Sequence, residues 1–372
     1  AIGLPVDQAI EAVNTKIFKA IIGQDPFDQG GIDKLLIKLD GTENKSKLGG
    51  NSILSASLAV AKACASSYKL ELYEYLNKLF NCVEGVCLPI NVSKNTKFPT
   101  PMFNVINGGK HAHNGLSFQE FMLIPSPDLP FDKTYEMGVK VYHNLKEQLQ
   151  AAHADVDVGD EGGFAPIGLD AYKALKFIKN ALGTDYKSGK DVFFGIDAAA
   201  GSFYKDGNYD ILDSNLHVNS YELLNYYREL SRQYEIIYLE DPFFEENFEA
   251  WKRIEKEFGG KIMIVGDDLV VTNPKLLQEA VKNRYCDSVI VKPNQIGTLT
   301  KTFEFIREAQ NNHLTVCISH RSGDTAEDTF IADLAVAVGA DFIKSGAPAR
   351  GERVAKYNRL LEIFYNLRRV SA

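Results

Sequence analysis

What this chain of 372 residues has little of removes several classes of explanation. Basic residues do not outnumber acidic ones: 41 Lys and Arg stand against 49 Asp and Glu, a formal net charge of −8. No broad cationic surface is left over for nucleic-acid phosphates, although a small anion would need only a few local cations. Apolar runs are too short to span a bilayer, and Ala1-Ile-Gly-Leu-Pro5 lacks the pattern of a signal peptide. No membrane span is expected, and a cytoplasmic location is. Cysteine is sparse: the five residues Cys64, Cys82, Cys87, Cys286 and Cys317 include no Cys-x-x-Cys pair. Mostly buried or free thiols in a reducing compartment are expected from that pattern. A Walker loop, a Ser-His-Asp elbow and a zinc signature are all missing.

What remains is ordinary for a soluble globular chain with a large core, 45% hydrophobic and 24% charged. The length suits one large domain and a smaller one. Residues from Val6 to about Leu79 read as helices; Ile32, Leu35, Leu36 and Leu39 recur at helical spacing and Gly41 supplies a stop. Asn51 to Ala65 is small and apolar all round, which predicts a fully buried helix. A turn-rich stretch from Asn81 to Pro101 follows. It sets the expected boundary near Val86, with residues 1–86 as a partial N-terminal unit and 87–372 as the main domain.

Beyond the boundary, eight strands are expected: Phe103–Ile106, Phe121–Ile124, Val192–Asp197, Ile236–Glu240, Ile262–Gly266, Ser288–Lys292, Thr315–Ser319 and Asp341–Lys344. From the third onward each is followed by an amphipathic helical stretch, which implies a parallel sheet; eight such strands suggest a closed α/β barrel. The glycine-rich connection Asn107-Gly-Gly-Lys-His-Ala-His-Asn-Gly115 is too short for a crossover helix, so the first two strands should be antiparallel. Two helices then come in succession, Lys133–Ala152 and Asp170–Leu182, giving the order ββαα followed by six βα units.

Several of these apolar runs stop at a charged residue. Asp197, Glu240 and Asp267 close or follow three strands, and Lys292 and Lys344 close two more. Three carboxylates at one barrel mouth repel one another unless a cation sits among them, and oxygen-only ligands favour a hard ion such as Mg²⁺. A lysine in that mouth is costly unless it meets anions. His320-Arg321-Ser322-Gly323 combines a guanidinium, a hydroxyl and turn amides, a suitable set for phosphate. Gly159-Asp-Glu-Gly-Gly163 puts two acids on a hinge, and His111 and Glu120 flank the second strand from a loop able to close over a ligand. Each motif alone also reads as a capped helix, a surface lysine or a polar loop; their company at equivalent strand ends favours an enzyme.

Together these residues resemble one family. Val105-Ile-Asn-Gly-Gly-Lys-His111, Gln119-Glu-Phe121, Gly159-Asp-Glu-Gly-Gly163, Leu239-Glu-Asp-Pro242, Gly266-Asp-Asp-Leu269, Lys292-Pro-Asn-Gln-Ile-Gly297, Ser319-His-Arg-Ser-Gly323 and Ile343-Lys-Ser-Gly-Ala-Pro348 are similar to the motifs of enolase. Leu39-Asp-Gly-Thr-Glu-Asn-Lys-Ser-Lys47 is similar to its small domain. The resemblance implies an enolase-type (β/α)8 barrel of ββαα(βα)6 order, preceded by a mostly helical remnant of an α+β N-terminal domain. It also implies reversible dehydration of 2-phosphoglycerate to phosphoenolpyruvate in glycolysis and gluconeogenesis. By position, Asp197, Glu240 and Asp267 match the ligands of the first of two Mg²⁺ ions. Lys292 matches the general base and Glu161 the general acid, with Glu120 supporting it. His111 matches the mobile-loop histidine, Arg321 and Ser322 the phosphate contacts with His320 beside them, and Lys344 the lysine at the substrate carboxylate. The substrate is expected to touch His111, Glu120, Glu240, Asp267, His320, Arg321, Ser322 and Lys344, in a homodimer or higher homo-oligomer. A Lys or His base beside one or two Mg²⁺ ions is a known arrangement for enolase-superfamily sites.

Against the family pattern, the chain lacks the N-terminal strands and the serine loop that completes the second metal site, and it stops soon after Arg369; truncation at both ends is the expectation. One extra residue falls near Ala326, and Ser202 stands where the family usually has glutamate. Two other readings remain: a Mg²⁺-dependent enolase-superfamily dehydratase of another acid, and a catalytically silent scaffold.

Overall fold

Eight strands do close into a barrel in the computed structural model, which describes residues 6–83, 86–87, 89–90, 92–93 and 96–369. The strands are β1 (Thr100–Asn107), β2 (Glu120–Pro125), β3 (Val192–Asp197), β4 (Ile236–Glu240), β5 (Met263–Gly266), β6 (Ser288–Val291), β7 (Thr315–Ser319) and β8 (Phe342–Lys344). They sit around the ring in chain order, with β8 returning to β1. β2 runs antiparallel to both neighbours, as the short glycine-rich connection requires, and every other pairing is parallel. A register shift between Asn104 and Ile106 bends β1 next to the barrel mouth.

Helices α1 (Phe131–Ala151), α2 (Ala171–Ala181), α3 (Ser220–Gln233), α4 (Phe248–Phe258), α5 (Pro274–Asn283), α6 (Leu299–Asn311), α7 (Phe330–Ala337) and α8 (Gly351–Arg369) follow in the expected ββαα(βα)6 order. Their starts are chemically marked. Asn273 accepts from the amide of Lys275 at 2.9 Å, with Pro274 in the first turn, and Asp170 accepts from that of Lys173 at 2.8 Å. A three-stranded sheet between β3 and α3, spanning Tyr204–Val218, was not expected from the sequence; its strands are two to four residues long, too short for a periodic signal.

The helix at Gly50–Ser67 is buried along one stripe only. Ile53, Ala56, Ser57, Ala61 and Cys64 face inward while Asn51, Ser55, Lys62 and Ala63 are exposed, which corrects the all-round burial expected from its small residues. Alanine and serine carry too little hydrophobic contrast to mark a face. This helix and its neighbours at Gln29–Asp40 and Leu72–Phe80 fasten onto the barrel through polar contacts. The amides of Leu299 and Thr300 donate to Ser57 Oγ (3.0 Å) and Asp33 Oδ2 (2.8 Å), and Asn77 Nδ2 donates to the Ala337 carbonyl at 2.8 Å. Cys64, Cys286 and Cys317 are free and buried, as expected. Cys82 departs from that expectation: it lies opposite Cys87 in a two-stranded sheet and is disulfide-bonded. Among the described residues no helix is long and apolar enough to cross a membrane.

Candidate active site

Strand side chains alternate between the two faces, so each strand offers the barrel interior every second residue. Met102, Met122, Ile124, Tyr238, Val265, Ile290 and Cys317 come from six different strands yet form one apolar cluster, separate from the packing under the helices. They are the interior filling. Two residues further toward the mouth, the same face carries Asn104 on β1, Glu240 on β4 and Ser319 on β7, with Asp267 and Lys292 just past the ends of β5 and β6. On β2, which runs the other way, the mouth-side neighbour of Met122 is Glu120. Gly195 of β3 is register partner to both Met122 and Tyr238, so Asp197 lies between Glu120 and Glu240. Alternation alone therefore gathers acids and lysines at one end.

Their charges are interlocked. Lys344 Nζ lies 2.8 Å from Glu240 Oε2, 3.1 Å from Glu120 Oε2 and 3.3 Å from Asp197 Oδ2, all four side chains being buried. Burial opposes its charge, but Glu120, Glu240 and Asp197 together hold its pKa well above the usual lysine value. Glu240 also accepts from the Tyr238 hydroxyl at 2.5 Å; burial, and then Asp197, push its carboxyl up to about 7. Lys292 Nζ pairs with Asp267 Oδ2. Burial would lower the Lys292 pKa, yet Asp267 and Glu240 outweigh it and raise it.

Opposite this network, His111 Nδ1 faces Glu161 Oε1 at 3.5 Å and Glu120 Oε1 at 3.8 Å. The Asp160 amide joins the two loops by donating to the His111 carbonyl at 3.0 Å, and the Gly159 amide closes its own turn by donating to the Gly163 carbonyl at 2.8 Å. Glu161 Oε2 accepts from Asn104 Nδ2 at 3.1 Å, and Glu161 Oε1 lies 3.3 Å from His320 Nε2. Burial, and then the facing Glu161 carboxylate, raise Glu120 well above the carboxylate range. For Glu161 burial acts the same way, but His320, His111 and Lys344 overcome it and hold the group well below that range. Of the two carboxyls, Glu120 is the one pushed toward its neutral form.

His320 is buried, whereas Arg321 and Ser322 are exposed on the turn that follows β7. A cleft of 410 Å³ runs between this turn and the Gly50–Ser67 helix, lined by Asn51, Asn294, His320 and Arg321 among others. A larger cavity of 690 Å³ lies at the other end of the barrel, around Lys97, Phe98 and Asp341, away from these groups. Asn104, Tyr238 and Gln119, whose Nε2 donates to Asp197 Oδ2 at 3.1 Å, complete the mouth and escaped the sequence reading. Tyr238 stands two residues before Glu240, so alternation would have found it. For Gln119, on a loop, alternation gives no signal, and only its place in the Gln119-Glu-Phe121 motif marks it.

The three acids expected to share an Mg²⁺ ion are divided. Lys344 joins Asp197 to Glu240, while Asp267 stands with Asp241 and Asp268; among the described residues these last three form one cluster able to hold a metal, and His111, Glu120 and Glu161 form the other. Asp241 serves the backbone, accepting from the amides of Asp267 (3.0 Å) and Asp268 (2.8 Å). The donor set nonetheless suits a hard cation. Asp267 Oδ1 is buried with no hydrogen-bond partner, and Glu120, Glu161, Asp197, Glu240 and Asp267 outnumber the two lysines.

Acids and lysines interlocked at the mouth of a (β/α)8 barrel, one of whose pairings is a ββ hairpin, place the chain among barrel enzymes. Residues 95–371 match the family model of the enolase C-terminal TIM barrel domain, and residues 2–76 that of the enolase N-terminal domain. The chain is 46% identical over 362 residues to the enolases of Ehrlichia canis (strain Jake) and Ehrlichia ruminantium (strain Welgevonden), and 45% identical to that of Ehrlichia chaffeensis (strain ATCC CRL-10679 / Arkansas). Each alignment covers 97% of this chain and 82% of the relative. The chain belongs to the enolase family, and as an enzyme to the phosphopyruvate hydratases.

Proposed function

We propose that this chain interconverts 2-phosphoglycerate and phosphoenolpyruvate in glycolysis and gluconeogenesis, with Lys292 as general base. The observation that supports this most is the pair of lysines, Lys292 and Lys344, among carboxylates at one end of a sealed barrel. The proton to be removed is α to a carboxylate, so its electron pair moves onto oxygens that are already negative. Lys344, held protonated, supplies positive charge for that carboxylate. Arg321 and Ser322 would receive the phosphoryl group, with His320 beside them. Departure of the C3 hydroxyl as water needs one proton, which the Glu120–Glu161 pair carries; Glu161 delivers it once the proton shifts across from Glu120. His111 closes on the same pair from its loop.

Asp197, Glu240 and Asp267 would hold Mg²⁺, whose charge would stabilise the intermediate carboxylate and offset the acids that now keep Lys292 protonated. A second Mg²⁺ is part of the same reading. We propose further that residues 1–86 and 87–372 are the two domains, that the chain works in the cytoplasm, and that it assembles as a homodimer or higher homo-oligomer.

The test is exchange of the C2 proton of 2-phosphoglycerate with solvent, followed by NMR in heavy water beside phosphoenolpyruvate formation. Glu161→Gln should exchange that proton while losing turnover, and Lys292→Ala should lose both. Equal loss of exchange in the two variants would remove the division of roles. Wild-type turnover of another carboxylic acid but not of 2-phosphoglycerate would move the chain to a different dehydratase; no turnover of either would leave a scaffold.

A further inference from the structure

Helix α8 sends two buried cations into the turn after β7. Arg353 and Lys356, three residues apart, are both 0% exposed. Arg353 Nη1 contacts His320 Nδ1 at 2.5 Å and donates to the Arg321 carbonyl at 2.9 Å; Nη2 donates to the Ser322 carbonyl at 2.8 Å and to that of Asp160 at 3.4 Å. Lys356 Nζ lies 3.3 Å from Asp324 Oδ2, which also accepts from the Arg321 amide at 3.3 Å. Among the described residues only one carboxylate approaches Arg353, that of Glu352 at 3.8 Å from Nε. A buried guanidinium served mostly by neutral acceptors is expensive, which makes its geometry worth interpreting.

A guanidinium has donors only and keeps its proton at any ordinary pH. The His320 nitrogen it touches must therefore be an unprotonated acceptor. The ring then carries its single proton on Nε2, the atom 3.3 Å from Glu161 Oε1. An imidazolium would drive an Nδ1–H against a guanidinium N–H, so the same contact also excludes the charged ring. With Nδ1 and Nε2 so assigned, the Nε2 proton lies on the side of Glu161, 3.3 Å away though not aligned as a hydrogen bond, and His320 cannot act as a base toward it.

We propose that Arg353 is a positioning residue that fixes His320 as the neutral Nε2–H tautomer facing Glu161, and that ties the His320–Ser322 turn to the Asp160 turn. The acid loop and the turn given above to the phosphoryl group then hold one arrangement through a single side chain. The proposal rests on the proposed function for its catalytic consequence, but its structural content can be tested without substrate.

The full chain labelled with ¹⁵N-histidine reports ring tautomers by NMR, and loss of one set of signals in His320→Gln assigns this ring among the seven histidines. The expected wild-type result is a protonated Nε2 and an unprotonated Nδ1 around neutral pH. A proton on Nδ1, or on both nitrogens, overturns the proposal whatever the variants do. Arg353→Gln keeps an N–H donor within the same space and should preserve the tautomer; Arg353→Met removes the donor and should lose it. For turnover of 2-phosphoglycerate, kcat should fall roughly 10- to 100-fold in the Met variant, with partial recovery in the Gln variant. Folded Gln and Met variants with the same tautomer and the same kcat would reduce Arg353 to a packing role and overturn the proposal. A wild-type chain with the expected tautomer but no turnover would instead count against the proposed function alone.

Discussion

Lys344 and Glu240 stand on opposite strands of the barrel, β8 and β4, four places apart in a ring of eight, and their ion pair at 2.8 and 3.0 Å crosses the mouth. No hydrogen-bonded strand neighbour links them; the contact is a brace across the open end. Glu120 and Asp197 share the same ammonium from a second side.

Removing that ammonium should be costly. Lys344→Met leaves three buried carboxylates facing one another, and loss of one partner from a buried ion pair typically costs about 3–5 kcal/mol. Denaturant unfolding without divalent cations should show a loss of that order, partly restored by added Mg²⁺. A variant as stable as wild type under metal-free conditions would contradict the brace.

Asp33 carries a pH signature at the junction between the N-terminal helices and the barrel. Burial raises its pKa despite hydrogen bonds from Thr300, Ser57 and Gln29. A carboxyl whose pKa is higher folded than unfolded binds its proton more tightly in the native state. Its contribution is therefore fully present below the ordinary carboxylate value, about 4, and lost as pH rises through the folded value. Asn cannot ionise, so the stability of wild type relative to Asp33→Asn should decline across that window. Beneath that trend lies a pH-independent term, because the Thr300 amide and Gln29 Nε2 donate to different oxygens of Asp33 and Asn can accept only one. A difference that stays constant from pH 4 to neutrality would refute the shift.

Gly159 is a steric requirement of the acid loop. A Cβ there would meet the His111 carbonyl at 2.6 Å and Asn107 Oδ1 at 2.8 Å. Gly159→Ala must push the His111 loop and the Glu161 turn apart, and misplacement of about 1 Å can cost roughly 100-fold in rate. We expect kcat to fall by about that factor with global stability lowered by only about 1–3 kcal/mol. Steady-state kinetics beside thermal unfolding separates the two; unchanged kcat would mean the loops are not coupled as described.

Metal dependence follows from the surplus of acid. Chelation should abolish turnover reversibly, and Mg²⁺ should raise Tm in a concentration-dependent way, since a ligand that binds only the native state stabilises by mass action. The Tm increase should shrink in Asp267→Asn. Activity that survives exhaustive chelation would remove Asp197, Glu240 and Asp267 from the metal role.

Much of this architecture was legible in the sequence because strand ends are marked chemically. Runs such as Val192–Asp197, Ile236–Glu240 and Thr315–Ser319 begin and stop in the structure where their apolar character does. Elsewhere the strand Ser288–Lys292 ends one residue early, at Val291, since Lys292 already opens the short helix Pro293–Ile296. Which acid meets which lysine was not legible. That depends on ring order and side-chain reach, as in Lys344 contacting Glu240 across the mouth rather than only its neighbours. Arg353 was invisible for a different reason: on an amphipathic helix an arginine reads as surface, and only the turn folded against it shows that it is fully buried. The Cys82 disulfide escaped because a cysteine in a turn-rich stretch carries no sign in its spacing of whether it is bonded.

The apolar filling formed by Met102, Met122, Tyr238, Val265, Ile290 and Cys317 makes the barrel a vessel with one opening. Water, substrate and product must all pass through the loop side, so whatever leaves clears the way for whatever enters. A proton held by Glu120 is likewise shielded, because the buried side chain faces His111 and Lys344 rather than solvent. Loosening a single floor residue, for instance by Met122→Ala, would open a second route for water and shorten the time a proton spends with its intended partner.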